Sequence, residues 1–377
     1  MVLIERQITL KITEWMNKNK VIIIYGARQV GKSTLLTIIK NEYPDLLILN
    51  AENPNIQSTL LSMDLERIKF LFGHAKYIAI DEAQKIENIG SILKYIHDHP
   101  EIKSQLIATG SSSFELANKV TEPLTGRNVK FILYPLSVAE LTQARSGAWV
   151  IENLKNLIVF GLYPDIVKAE ISEKIMLLEN LNVDYLFQDV IQLDNLLNST
   201  MILKLLKALA YQVGSQVSYH ELGQLLGLAP QTVQKYLDLL EKSFVIFSLT
   251  SFSRNLRNEL KKSKKYYFID TGLRNAVIND FTPFDERRDR GALWENFCIV
   301  ERLKYHQLKN QKADMYFWRT YDQAEIDLVE DINGTLRAFE FKAGSKSKKL
   351  PESFKNAYSV VSYHTISPEN VFNLWSE

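Results

Sequence analysis

The sequence predicts an α/β chain in three parts: a parallel sheet built around a phosphate-binding loop, a helical middle, and a second α/β domain at the C-terminus. Three observations predict it. The apolar, β-branched run Val21-Ile22-Ile23-Ile24-Tyr25 opens directly into a glycine loop and then a helical stretch. Two short amphipathic segments meet at the turn Gly227-Leu228-Ala229. Beyond residue 286, a helix and three strands carry acids and a lysine at alternating positions.

Composition sets the outer bounds. A chain of 377 residues suggests two or three domains. Lysine plus arginine total 45 against 44 acids, so any basic surface must be local. The single cysteine, Cys298, leaves no internal disulfide and fits a reducing compartment. The six histidines show no metal-ligand spacing. The start, Met-Val-Leu-Ile-Glu-Arg, has no signal-peptide pattern, and no apolar run approaches transmembrane length. The expectation is a soluble, cytoplasmic protein without a membrane partner.

The first domain, over 1–150, rests on the loop Gly26-Ala27-Arg28-Gln29-Val30-Gly31-Lys32-Ser33, which reads G-x-x-x-x-G-K-S and runs into a helix at Thr34. Glycines let the backbone turn tightly and aim N–H groups at phosphate oxygens. The helix N-terminus adds partial positive charge. In this pattern Lys32 reaches the β- and γ-phosphates of ATP, and the Ser33 hydroxyl ligates Mg²⁺. A strand at Tyr77-Ile78-Ala79-Ile80 ends in Asp81-Glu82, the Walker B arrangement. Asp81 would hold the metal and Glu82 would polarise the attacking water. Residues 105–113 form a further strand ending in small polar residues. Here Ser111 is the first choice for sensing the γ-phosphate and Thr109 the second, against a plain glycine-serine turn. Arg127 follows the turn Thr125-Gly126. It is either a finger that neutralises transition-state charge, in cis or across a subunit interface, or a surface ion-pair residue.

The loop, Ile80-Asp81-Glu82-Ala83-Gln84, Thr109-Gly110-Ser111-Ser112-Ser113 and Pro135-Leu136-Ser137 with Glu140 together resemble the prokaryotic AAA-type P-loop ATPases of the archaeal-ATPase-like group. The resemblance runs from about Arg6 to about Lys346. It implies a P-loop NTPase sheet, ATP and Mg²⁺ as cofactors, and a C-terminal half of uncharacterised function. Ser33 stands where many relatives carry threonine, which keeps the hydroxyl.

The middle, over 151–285, turns helical after Gly161-Leu162-Tyr163-Pro164. Tyr219-His220-Glu221-Leu222-Gly223-Gln224-Leu225-Leu226 is a short amphipathic helix, and Pro230 suits the first position of the next. That helix places Val233, Leu237 and Leu240 on one inner face. A strand at 244–249 follows, which is winged-helix order. In a DNA reader Gln231, Thr232, Gln234 and Lys235 would face the groove, and Arg254, Arg257, Lys261, Lys262, Lys264 and Lys265 would form a phosphate track. The same module serves equally as a lid or docking unit. Asp270 is expected to cap the helix after Tyr266-Tyr267-Phe268-Ile269.

The C-terminal domain, over 286–377, places Glu295 on a helix, Glu325 and Asp327 on one face of a strand, and Glu340 and Lys342 on one face of the next. A helical acid, a strand acid and E-x-K resemble the PD-D/ExK nuclease cores of archaeal Holliday-junction resolvases and many restriction enzymes. By that chemistry Glu295, Asp327 and Glu340 would bind a divalent metal, Lys342 would stabilise charge at phosphorus, and Glu325 would be a supporting acid or a surface partner. Basic residues from Lys346 to Lys349 either meet a DNA backbone or form a solvated loop. The combined expectation is an ATP-hydrolysing machine acting on DNA, as a single chain or a homo-oligomer, with a metal-dependent nuclease-like domain. The alternative is an ATP-driven switch whose C-terminal domain only binds DNA or protein.

Overall fold

The computed structural model describes residues 4–111, 124–192, 199–253, 264–309, 311–320, 322, 324–344 and 348–375. Backbone contacts divide the chain into two compact units. The first comprises Met1–Leu136 with Phe187–Asn195 and Lys242–Phe244, and the second holds the rest.

The first unit is built on five parallel strands in the order β2-β3-β4-β1-β5. These are β1 (Val21–Tyr25), β2 (Leu46–Asn50), β3 (Tyr77–Asp81), β4 (Gln105–Gly110) and β5 (Asn128–Ile132). Every residue of β1 is buried, which is why its sequence is continuously apolar rather than alternating. Burying each of Val21, Ile22, Ile23 and Ile24 contributes roughly 2 kcal/mol. Helices α1 (Ile8–Thr13), α2 (Lys32–Glu42), α3 (Pro54–Leu61), α4 (Leu65–Phe72) and α5 (Ile89–Asp98) complete this unit. Because β4 lies between β1 and β3, the ends of three neighbouring strands converge on one edge. That carboxyl edge is where open α/β sheets bind ligands.

Beyond Leu136 the chain forms helices α6 (Val138–Ala144), α7 (Gly147–Phe160), α8 (Pro164–Lys168), α9 (Ile171–Gln192) and α10 (Ser199–Tyr211), all in the second unit except the last residues of α9, from Phe187. Ser137 and Glu140 form a reciprocal capping box at the start of α6. The helix pair α11 (Tyr219–Leu226) and α12 (Pro230–Lys242) follows, with Val233, Leu237 and Leu240 buried as the periodicity requires. A Cβ on Gly223 would lie 2.6 Å from the Leu228 carbonyl oxygen, so the turn closes only over glycine.

A seven-stranded sheet organises the remainder in the order β12-β11-β10-β9-β7-β8-β6. Its strands are β6 (Gln216–Val217), β7 (Ile246–Ser251), β8 (Lys264–Phe268), β9 (Asp314–Arg319), β10 (Glu325–Ile332), β11 (Thr335–Phe341) and β12 (Val360–Ile366). Strands β9, β10 and β11 form an antiparallel meander, and β12 returns parallel to β11 after helix α15 (Glu352–Ala357). The parallel pairing of β7 with β9 carries one sheet across residue 285. Helix α13 (Thr271–Ile278) is capped by Asp270, whose Oδ1 accepts from Leu273 N at 3.1 Å. Helix α14 (Arg290–Lys309) packs Leu293, Trp294, Phe297 and Val300 into the interior. Among the described residues no helix is long and apolar enough to cross a membrane.

Candidate functional site

The loop site forms where β1, β3 and β4 end. A Cβ on Gly26 would sit 2.3 Å from the Leu133 carbonyl oxygen, and Gly31 holds φ +95°. Both positions exclude side chains, the first by contact and the second by conformation. The Lys32 ammonium donates to the carbonyls of Gly26 and Ala27, 2.9 Å each, so the loop curls around its own lysine. Ala27 and Val30 are buried as loop anchors, Arg28 is half-buried, and Gln29, Ser33 and Thr34 are exposed. The buried Arg6 guanidinium fastens the loop from behind, donating to Val30 O at 2.8 Å and Tyr134 O at 2.6 Å. Arg6 stands between Glu5 and Gln7, and no spacing in the sequence marks it.

Two hydrogen-bonded chains cross this edge. Ser33 Oγ donates to Asp81 Oδ2 at 2.6 Å, and Thr109 Oγ1 donates to Asp81 Oδ1. Thr109 Oγ1 also accepts from Glu82 N at 3.2 Å, so Thr109 touches both acids. Ser111 reaches Glu82 indirectly: Gln84 Nε2 donates to Glu82 Oε2 at 2.5 Å and to Ser111 Oγ at 3.1 Å. The buried Gln84 Oε1 has no hydrogen-bond partner among the described residues. Glu82 holds φ +55°, which turns the chain back and lets Gln84 face it. Gln84 belongs to the site, and its only sequence signal was a glutamine two residues after the acid pair.

These residues fit a nucleotide with its magnesium ion. Two glycines leave room for phosphate at a helix N-terminus. Ser33 and Asp81 supply hard oxygen donors within hydrogen-bond distance of each other, as magnesium prefers.

Arg127 is elsewhere, which corrects the reading of a finger acting in cis. Its carbonyl accepts from Val21 N, so it stands at the amino end of β1, a strand length of about 15 Å from the loop. Its Nε donates to Asp98 Oδ1 at 2.7 Å. That bond holds the Asp98 carboxyl below, and the Arg127 guanidinium above, their ordinary values.

A second cluster forms in the C-terminal sheet. Helix α14 brings Glu295, β10 brings Glu325 and Asp327, and β11 brings Glu340. The Asn296 side chain pins α14 to β8, accepting from Phe268 N at 2.9 Å and donating to Phe268 O at 2.7 Å. This clamp aligns Glu295 with β8, where Tyr267 OH donates to Glu295 Oε1 at 2.7 Å. Asp327 Oδ2 accepts from Phe341 N at 2.8 Å. Burial, followed by the nearby Glu295 and Glu340 carboxylates, pushes Asp327 well above the usual carboxylate range. Burial also raises Glu295, against the pull of Lys265 and Tyr267.

The lysines here correct the sequence reading. Lys265, expected on an exposed phosphate track, has a side chain only 2% exposed and bridges Glu325 Oε1 at 2.5 Å and Glu295 Oε1 at 3.4 Å. Strand alternation explains it: Lys265 and Tyr267 share the face toward α14, while Lys264 and Tyr266 point the other way, to Glu241 and Tyr219. Arg254, Arg257, Lys261 and Lys262 lie outside the described residues. Lys342 and Lys348 both pair with Glu340 Oε1, at 2.6 and 2.7 Å. Lys348 stays exposed while its ammonium pairs with Glu340, and Lys346 lies outside the described residues. The expected metal set of Glu295, Asp327 and Glu340 is brought together, but Glu295 Oε1, Asp327 Oδ2 and Glu340 Oε1 are turned to lysines, a tyrosine and a backbone amide, while the buried Glu340 Oε2 has no hydrogen-bond partner among the described residues. Among the described residues no three acids, histidines or cysteines are arranged to hold a metal ion. In this arrangement the donor set does not fit a divalent cation.

Comparison with known proteins supports the architecture. An AAA domain model matches residues 18–142. Two models described as domains of unknown function, DUF8612 and DUF4143, match residues 151–283 and 290–375. An uncharacterized protein of Mycobacterium tuberculosis is 28% identical over 95% of this chain and 78% of its own length. One of Methanocaldococcus jannaschii is 25% identical over 92% of this chain and 82% of its own. A Walker-type ATPase of Pyrococcus abyssi superposes with a TM-score of 0.52 at 14% identity, covering 73% of this chain and 96% of that one. The N-terminal part of this chain therefore has the fold of an AAA-type P-loop ATPase domain.

Proposed function

We propose that the chain binds and hydrolyses ATP in the loop site and acts on DNA through its second unit. The observation that carries the ATPase reading is the linked set Ser33-Asp81-Thr109 and Glu82-Gln84-Ser111, standing at the mouth of the loop. The loop N–H groups and Lys32 bind the phosphates, with the lysine exchanging its carbonyl partners for phosphate oxygens. Ser33 and Asp81 hold magnesium, which neutralises phosphate charge when bound. Glu82 accepts a proton from the attacking water, and Gln84 fixes the carboxylate's direction. ATP turnover by the full chain, lost in Glu82→Gln while nucleotide binding persists, tests this reading. Unchanged turnover in that variant rejects it.

For DNA the support is the winged-helix order of α11, α12 and β7, with Gln231, Gln234 and Lys235 exposed along the second helix. The helix, the three-strand meander and the returning parallel strand around Glu295, Asp327, Glu340 and Lys342 are similar to the PD-D/ExK nuclease frame. A second reading makes that frame a binding module without cleavage, in an ATP-driven switch. The compensation of its acids by Lys265, Lys342 and Lys348 favours this second reading. Incubation with branched, linear and single-stranded DNA, magnesium and ATP separates the two. Cleavage abolished by Lys342→Ala supports a nuclease, and salt-sensitive binding without cleavage supports the module.

A further inference from the structure

We propose that the Lys265 ammonium is the resident cation of the C-terminal acid cluster, and that it and a divalent ion exclude one another there. The inference deepens the second reading above, a nuclease-type frame that binds without cleavage, and it stands on geometry.

Three observations carry it. Lys265 is almost fully buried and makes two ion pairs, one to the helix acid Glu295 and one to the strand acid Glu325. A buried ammonium is tolerated only where carboxylates surround it. Second, its position is built rather than incidental. Strand β8 is held by β7 on one side and by the Asn296 clamp on Phe268, three residues from the lysine. Third, the Glu295 oxygen that faces Lys265 is the one that also accepts from Tyr267, so the local donors converge on the same carboxylate edge. Magnesium or manganese needs carboxylate oxygens at about 2.0–2.2 Å. An ammonium already on Glu295 and Glu325 denies it those oxygens sterically and by charge. Removing that ammonium leaves two half-buried carboxylates without their cation beside the buried Asp327 and Glu340. Such a set attracts a hard divalent ion.

The test is Mn²⁺ binding to the nucleotide-free full chain, read by calorimetry and by the loss of the free-ion electron paramagnetic resonance signal. Lys265→Met and Lys265→Gln are expected to gain one ion per chain, bound at least about tenfold more tightly than any ion at this cluster in the unaltered protein. The gain should vanish when Glu295→Gln is added, while ions near Ser33 and Asp81 contribute equally to every protein. Folded variants that gain no ion overturn the proposal. If neither variant folds, the unaltered chain decides. One Mn²⁺ per chain whose binding is lost in Asp327→Asn overturns the proposal, and no such ion supports it. DNA cleavage is scored separately. An ion gained without cleavage leaves the lysine's role standing and rejects the nuclease reading alone.

Discussion

Ser33 Oγ lies 2.6 Å from Asp81 Oδ2, joining the first turn of α2 to the last residue of β3. These residues are 48 positions apart in sequence, and only the insertion of β4 between β1 and β3 places them on one edge. The bond pre-positions two oxygen donors at the foot of the loop. It also gives Asp81 a reason to sit at the end of a buried strand, where an unpaired carboxylate would be costly.

Lys32→Ala should abolish nucleotide binding. The ammonium is buried against the Gly26 and Ala27 carbonyls, inside the curl of the loop. We expect at least about a hundredfold weaker binding of a fluorescent ATP analogue, about 2.7 kcal/mol. Affinity within a factor of two of the parent would contradict the loop assignment.

Gln84→Ala should slow hydrolysis with little change in nucleotide affinity. Gln84 bonds both Glu82 and Ser111, so its loss frees the acid to rotate. A drop in kcat of about tenfold is expected, against about 10²–10³ for Glu82→Gln. Equal losses in the two variants would mean that Gln84 does more than orient Glu82.

Gly161→Ala should destabilise the second unit without touching the loop site. A Cβ there would lie 1.9 Å from Asp270 Oδ1, and the glycine holds φ +77°. Asp270 caps α13 and also accepts from Leu162 N at 2.7 Å, so it cannot retreat without losing both bonds. A cost of about 2–4 kcal/mol is expected, visible as a lowered Tm.

Glu330→Gln should cost about 3–5 kcal/mol, because it leaves the fully buried Arg302 guanidinium uncompensated. Arg302 Nη2 donates to Glu330 Oε2 at 2.6 Å, and His306 Nε2 lies 2.8 Å from Oε1. Burial opposes ionisation of Glu330, but the bonds from His306 and Arg302 prevail and hold it below its ordinary 4.5. A depressed acid contributes stability above its unfolded value and loses it as pH falls through the folded one. Denaturant titrations should therefore show the unaltered chain losing stability below about pH 4.5, with that component missing in Glu330→Gln. Parallel pH profiles would rule out this pair as the cause.

Lys235→Ala should weaken DNA binding across sequences and reduce the slope of log affinity against log salt by about one. Gln231→Ala should instead narrow the difference between preferred and random duplexes. Fluorescence anisotropy at several salt concentrations reads both, and two unaffected variants would remove the helix pair from the DNA contact.

Much of the loop site was legible because its chemistry is contiguous. Glycines, lysine and serine occupy adjacent positions, and Asp81-Glu82 follows directly from its apolar strand. Gln84 and Arg6 were not legible, since each acts through contacts that depend on a local turn or on distant carbonyls. Arg127 shows the converse. Its glycine turn resembled a functional arginine, but a parallel strand of five residues carries it to the far edge of the sheet.

The sequence by itself determined the order of elements, the loop chemistry and the faces on which Glu325, Asp327, Glu340 and Lys342 lie. Periodicity and short motifs are local, so they survive without knowledge of the fold. Only the tertiary structure decided the fate of Lys265. In the sequence it is one of a run of cations beside exposed-looking lysines. In the sheet, strand alternation and the Asn296 clamp turn it inward onto Glu295 and Glu325. Whether a charge meets solvent, a phosphate or a buried carboxylate depends on which strands become neighbours, and that is set by long-range pairing rather than by spacing along the chain.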